Sequence, residues 1–340
     1  MQTAVLAGCG AMSTVWLDAI QKLPELKLVG LVDVDVGRAK DCAQRFHLQN
    51  VAVGASLREV LVAEKPNIVF DVAFPQARRD LVMTAFEHGC DVLTEKPLAT
   101  SMDDARAILS AAQAHDRIHA VVQNRRYLAN IRRIRRFLDS AVLGKPTSIH
   151  CDFYLAPHFG GFRETMDHVL LVDMAIHTFD AARYLVNAAP KSVFCAEWDP
   201  PNSWYKNGSS AVALFTLEGG IVFNYRGSWC ADGARTSWES SWRIVCELGT
   251  LIWDGFDELW AERATPIHEG IFDVPERVAI PPLHDEDKIG GHLGVITDFL
   301  NALRTRSQPE TAGTDNIKSL AMVFAAIESA TSGERVKVRI

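Results

Sequence analysis

The run TEKPL (94–98) sets a lysine between an acid and a proline, directly after the apolar stretch CDVL. An ammonium near buried backbone is costly unless something pairs with it, so Lys96 marks a position where a positive charge is wanted. A second such position is the segment HVLLVDMAIHTFD (168–180), where Asp173 and His177 are four residues apart and Asp180 three further on. On a helix these three share one face, and they interrupt an apolar pattern of Leu170, Leu171, Met174, Ile176 and Phe179. Imidazole, ammonium and carboxylate are what the oxidation of an alcohol asks of a protein. Imidazole accepts a proton near neutral pH, the ammonium stabilises charge developing on oxygen, and the carboxylate orients a neighbouring hydroxyl. The plainer readings are a core histidine, or an Asp–His helix contact of about 0.2–0.5 kcal/mol. A metal is not expected, because the Asp173, His177, Asp180 spacing is generic and a nearby lysine opposes a cation.

A third feature is a glycine turn with an acid beyond it. AVLAGCGAMS (4–13) places Gly8 and Gly10 after a strand-like run and before a helical one. The first glycine permits a tight turn; the second lets a pyrophosphate approach the backbone at the helix N-terminus, where the dipole favours an anion. Ser13 stands where the G-x-G-x-x-G/A pattern has Gly or Ala. Asp33 lies at the end of the second strand-like run, 23 residues beyond Gly10. A carboxylate there accepts hydrogen bonds from adenosine ribose hydroxyls and repels a 2′-phosphate, which favours NAD; Arg38 keeps NADP open.

GCGAMS, TEKPLAT and VDMAIHTFD together resemble the glucose–fructose oxidoreductase / inositol dehydrogenase (Gfo/Idh/MocA) family, over essentially the whole chain. The resemblance implies an N-terminal Rossmann domain, a C-terminal open sheet, and hydride transfer between NAD(P) and a secondary alcohol or ketone of a sugar, cyclitol or related polyol. It implies that Lys96, Asp173 and His177 are catalytic, that Arg125 lies near the nicotinamide and that Asp180 lies near substrate hydroxyls. On this basis the cofactor is expected on Gly8, Gly10, Ala11, Met12, Asp33, Val34, Arg38, Ala73, Phe74, Pro75, Glu95, Lys96, Asn124 and Arg125. The substrate is expected on Lys96, Arg125, His158, Arg163, Asp173, His177, Asp180 and Trp229. His158, Arg163 and His168 come from YLAPHFGGFRETMDH (154–168). Trp229, Arg235, Trp238 and Trp242 come from 228–242, where the tryptophans either stack on sugar rings or anchor a core. FPQAR departs from the family's pattern at Arg78, which leaves the contacts on the nicotinamide side open. Two other functions fall within the same resemblance. One is a glycosidase using a tightly held NAD; the other is a non-catalytic nucleotide-binding regulator, which would typically have lost the lysine or the histidine.

These residues need elements to hold them. Over residues 1–122, Val- and Ile-rich runs apolar on both faces alternate with amphipathic helical patterns, which predicts a doubly wound parallel α/β domain. From 123 to 340 the pattern changes to two helices, a close succession of strands and two final helices, predicting an α+β domain with one broad, mainly antiparallel sheet. Its open apolar face predicts a homodimer or homotetramer. The formal charge of −7 gives no reason to expect nucleic acid, and the arginines of RRYLANIRRIRRFL (125–138) fall at the spacing of a solvated helix face. No run approaches the roughly 18 apolar residues that span a bilayer, and the N-terminus lacks a basic leader. The seven cysteines form no C-x-x-C pair, so neither zinc nor a disulfide framework is expected and the cytoplasm is the expected compartment.

Overall fold

The structure is a computed structural model that describes residues 1–340. Its first third alternates strands and helices: β1 (Gln2–Ala7), α1 (Ala11–Ile20), β2 (Leu26–Val32), α2 (Val36–Arg45), β3 (Ala52–Gly54), α3 (Leu57–Glu64), β4 (Ile68–Asp71), α4 (Pro75–Glu87), β5 (Asp91–Thr94), α5 (Met102–Ala114) and β6 (His119–Val121). The six strands are all parallel, in the order β3-β2-β1-β4-β5-β6. This is the doubly wound arrangement in which ligands bind beyond the carboxyl ends of the strands. Burial on both faces explains the unbroken apolar runs; β4 and β5 have no exposed residue. Helices α2, α3 and α5 each start on a side-chain cap, from Asp35, Ser56 and Ser101. Helix α1 starts at Gly10 with no side-chain cap, which leaves its first turn available to an anion.

The chain continues through α6 (Ala129–Asp139), β7 (Pro146–Tyr154), a π-helical segment (Leu170–Ala175), α7 (Ile176–Val186), β8 (Pro190–Trp198), β9 (Ser210–Leu217), β10 (Val222–Ser228), β11 (Ser241–Cys246), β12 (Gly249–Trp253), β13 (Leu259–Glu269), β14 (Phe272–Val278), α8 (His292–Thr305), α9 (Gly313–Ser332) and β15 (Val336–Lys337). Nine strands form the second sheet, in the order β14-β13-β12-β11-β7-β10-β9-β8-β15. All neighbours are antiparallel except β7 and β10. Phe153, Phe179, Phe215, Phe223 and Tyr225 are fully buried between this sheet and its helices, with Phe179 edge-on to Phe215 at 4.8 Å. No helix is long and apolar enough to cross a membrane. All seven cysteines are buried and unbridged.

The chain divides into one unit of Met1–Tyr127 with Lys288–Leu320, and another of Leu128–Asp287 with Ala321–Ile340. The reason is apolar: Val295, Ile296, Phe299, Leu300 and Leu303 of α8 join the core built on Trp16, Leu17, Ile20 and Phe70. Sequence order conceals this, because α8 arrives some 170 residues after the sheet it completes.

Candidate active site

In the first unit, Gly8 has φ +100°, and a Cβ there would lie 2.5 Å from Ala73 N and Val72 C. Only glycine fits that crossing of two loops. A Cβ on Gly10 would meet nothing within 4 Å, so the space over the first turn of α1 is open for a pyrophosphate. Asp33 binds the turn from the side: Oδ2 accepts from Cys9 N at 2.8 Å and Oδ1 from Asp35 N at 2.9 Å. Each oxygen keeps a lone pair for a ribose hydroxyl. Burial, with Cys42 and Asp33 adding to it, pushes the Cys9 thiol up to about 12, so it is no nucleophile. Arg38 pairs with Asp35 at 3.4 Å in solvent. Ala11, Met12, Val34 and Phe74 are exposed around the turn, with Ala73 and Pro75 beside them. These residues fit a dinucleotide.

Lys96 is half-buried just past β5, and its peptide bond to Pro97 is cis. Glu95, expected on the cofactor, is buried beside the lysine. Its Oε1 accepts from Trp16 Nε1 at 2.8 Å and from His292 Nε2 at 3.1 Å, and its Oε2 accepts from Lys96 N at 3.1 Å. Burial pushes the Glu95 carboxyl up, but the His292 and Trp16 hydrogen bonds and the Lys96 charge outweigh it and hold it below its ordinary value. On the other side of the loop Arg78, fully buried, donates to Asp71 at 2.7 Å, to Ala73 O at 3.1 Å and, through Nη1, to Pro97 O. Burial pushes Asp71 up while Arg78 and the Ala73 N–H pull it back. Burial and the Arg78 charge push His119 down to about 3, so it is a neutral core group. Asn124 Nδ2 is 3.5 Å from His292 Nδ1, and Arg125 is buried on the short 3-10 turn Asn124–Tyr127.

In the second unit, Asp173 lies in the π-helical turn and His177 in the first turn of α7. A π insertion widens one turn and is a frequent mark of functional sites. Arg163 donates from Nε to Asp173 Oδ2 at 2.7 Å, and its guanidinium is 4.9 Å from the Phe159 ring and 4.8 Å from the Phe162 ring. His177 and Asp173 are half-buried. Asp180 is 1% exposed and 3.7 Å from Arg183. His158 is exposed and stacked on Trp204 at 3.7 Å. His168 pairs with Glu197 at 2.5 Å. Of the tryptophans, Trp229 and Trp242 are 1% and 2% exposed; Trp229 lies against Phe159 and Tyr205, whereas Trp238 is open. No group of His, Cys, Asp and Glu side chains is disposed to hold a metal ion.

The residues beside the Lys96 loop that sequence reading missed are Trp16 and His292, which donate to Glu95. Trp16 reads as one apolar helix position among others, and His292 stands in a glycine-rich stretch with no motif around it. Arg78 did leave a trace, as the departure of FPQAR from the family's pattern.

Residues 3–123 match the model of an oxidoreductase family with an NAD-binding Rossmann fold, and residues 131–252 match the Gfo/Idh/MocA C-terminal domain. The chain belongs to the Gfo/Idh/MocA oxidoreductase family. It is similar to D-apiose dehydrogenase of Paraburkholderia graminis, 26% identical over 98% of this chain and 89% of that protein. It is also similar to inositol 2-dehydrogenase of Burkholderia multivorans, 28% identical over 53% of this chain and 52% of that one. Among solved structures, an Agrobacterium radiobacter oxidoreductase in complex with NAD+, L-tartaric acid and magnesium superposes with a TM-score of 0.86 at 21% identity, over 99% of this chain and 98% of that one. With this family go an NAD-binding Rossmann domain and an oxidoreductase.

Proposed function

We propose that this chain is an NAD-dependent dehydrogenase of a sugar, cyclitol or related polyol, or the corresponding keto-sugar reductase, with Lys96, Asp173 and His177 as its catalytic residues. The observation that carries the reading is the loop at the end of β5. A lysine stands there with its backbone N–H bound to a buried carboxylate, in a fold that takes its ligand beyond the strand ends.

The bound dinucleotide supplies the hydride acceptor. The protein supplies the rest. His177 takes the hydroxyl proton, which an imidazole does near neutral pH. The Lys96 ammonium donates to the reacting oxygen and stabilises its developing charge. Asp173 orients an adjacent hydroxyl, and Arg163 at 2.7 Å holds that carboxylate in place. Arg125, His158 and Arg163 contribute to substrate binding; Asp33, with Arg38 engaged by Asp35, favours NAD over NADP. The substrate class rests on the dehydrogenases of D-apiose and inositol among the relatives.

The test is a panel of pyranoses, pentoses, inositols and keto-sugars assayed for NAD(H) turnover, with an aryl glycoside beside them. Turnover of free polyols is expected, with Lys96→Ala lowering it by about 10²-fold or more while NAD still binds. Cleavage of the glycoside without net NADH would assign a glycosidase instead. Full activity in Lys96→Ala would remove the lysine from the mechanism.

A further inference from the structure

We propose that His292 is a positioning residue for Lys96, acting through Glu95; this rests on the reading of Lys96 as catalytic. A carboxylate held by one donor can swivel about its Cγ–Cδ bond. Glu95 Oε1 is held by two donors from different elements, the Trp16 indole at 2.8 Å and His292 Nε2 at 3.1 Å. Two directions at one oxygen fix the carboxylate plane, and the plane fixes where Oε2 meets the Lys96 N–H at 3.1 Å. The lysine backbone is therefore set by a histidine from the other end of the sequence.

His292 is itself fixed. Its Nδ1 lies 3.5 Å from the Asn124 amide nitrogen, and because a carboxylate only accepts, Nε2 carries the hydrogen toward Glu95. Its ring stands edge-on to Trp16 at 6.2 Å. The N–H groups of Gly290 and Gly291 both donate to Tyr127 O, at 2.9 and 3.3 Å. A Cβ on Gly294 would lie 2.6 Å from Ile289 O, so the entry to α8 has one arrangement. A histidine kept only for packing needs no oriented Nδ1 partner and no share in a buried carboxylate.

The experiment compares His292→Leu, which removes the donor, with His292→Gln, whose amide nitrogen reaches the same place. Both are checked by thermal melting and by NAD titration. On a substrate found by the panel above, His292→Leu is expected to lower kcat about tenfold, the scale of losing a support behind a functional group, with KM for NAD unchanged. His292→Gln is expected to recover most of the activity. In a Lys96→Ala background His292→Leu is expected to cost nothing further, because its effect passes through the lysine. A readout independent of turnover is the labelling rate of Lys96 by an amine-reactive reagent, followed by mass spectrometry: changed in His292→Leu and restored in His292→Gln. If no substrate is found, the proposed function fails while the labelling still decides the role of His292. Unchanged labelling, or a loss that adds in full to that of Lys96→Ala, overturns the assignment.

Discussion

Glu95→Gln isolates the buried carboxylate beneath Lys96. Three donors converge on it: the Trp16 indole and His292 Nε2 on one oxygen, the Lys96 N–H on the other. Glutamine offers one oxygen and a second group that only donates. Whichever way the amide is turned, at least one of the three donors faces an N–H. A stranded buried donor costs about 1–3 kcal/mol, and at about 2–4 °C per kcal/mol this lowers the melting temperature by about 2–12 °C at pH 7. The acid limb gives a second constraint. Glu95 titrates below its ordinary value in the fold, so the stability it adds is complete above the unfolded value of about 4.3 and is lost as the pH falls through the folded value. The gap between wild type and Glu95→Gln should therefore close in acid. Calorimetry from pH 7 down to the acid limb measures both. Equal melting temperatures at pH 7, or a gap that widens in acid, would refute the reasoning.

Asp33→Ala removes the acceptor for Cys9 N and Asp35 N as well as for the ribose; NAD affinity is expected to fall about tenfold or more and NADP affinity less, by fluorescence titration. Equal losses for both cofactors would show that Asp33 acts only on the turn. Gly8→Ala sets a methyl 2.5 Å from the backbone of Val72 and Ala73 at φ +100°, so NAD binding is expected to vanish in the titration even where the variant folds. Arg78→Met leaves the Asp71 carboxyl buried beside an apolar chain and is expected to cost about 3–5 kcal/mol in denaturant unfolding. Adding Asp71→Asn should return part of that loss.

What the sequence shows and conceals follows from the range of the interactions. The glycine turn, Asp33 and the apolar strands are local: their physics lies within a few residues, so spacing reveals them. Asp173 and His177 stand out because polar residues recur on one face of an apolar helix. Asp180, three residues beyond His177 within α7, belongs to the same recurrence and is buried. For Trp229 and Trp242 the sequence leaves stacking on a sugar and anchoring a core equally open, because a strand of alternating pattern does not say which loops will cover its end. The transfer of residues 288–320 to the first unit was hidden for a different reason. Helix α8 has an ordinary apolar stripe, and nothing in such a stripe names its partner.

The groups around the glycine turn and those around Lys96 differ in a way that separates ligand contacts from scaffolding. Helices α2, α3 and α5 satisfy their first turns with their own side chains, and α1 does not. Beneath Lys96 the reverse holds: Glu95 accepts three bonds and Arg78 donates to three acceptors, all from within the protein. Buried ionic groups are seldom the most stable way to fill a core; apolar side chains of similar volume do as well or better. Their concentration on both sides of the loop that follows β5 is therefore accounted for by direction more than by stability. Hydrogen bonds fix where a backbone points, which apolar packing does only loosely. A loop needs its direction fixed when the side chain it carries must meet a reacting atom, where an error of about 1 Å costs about 10²-fold in rate.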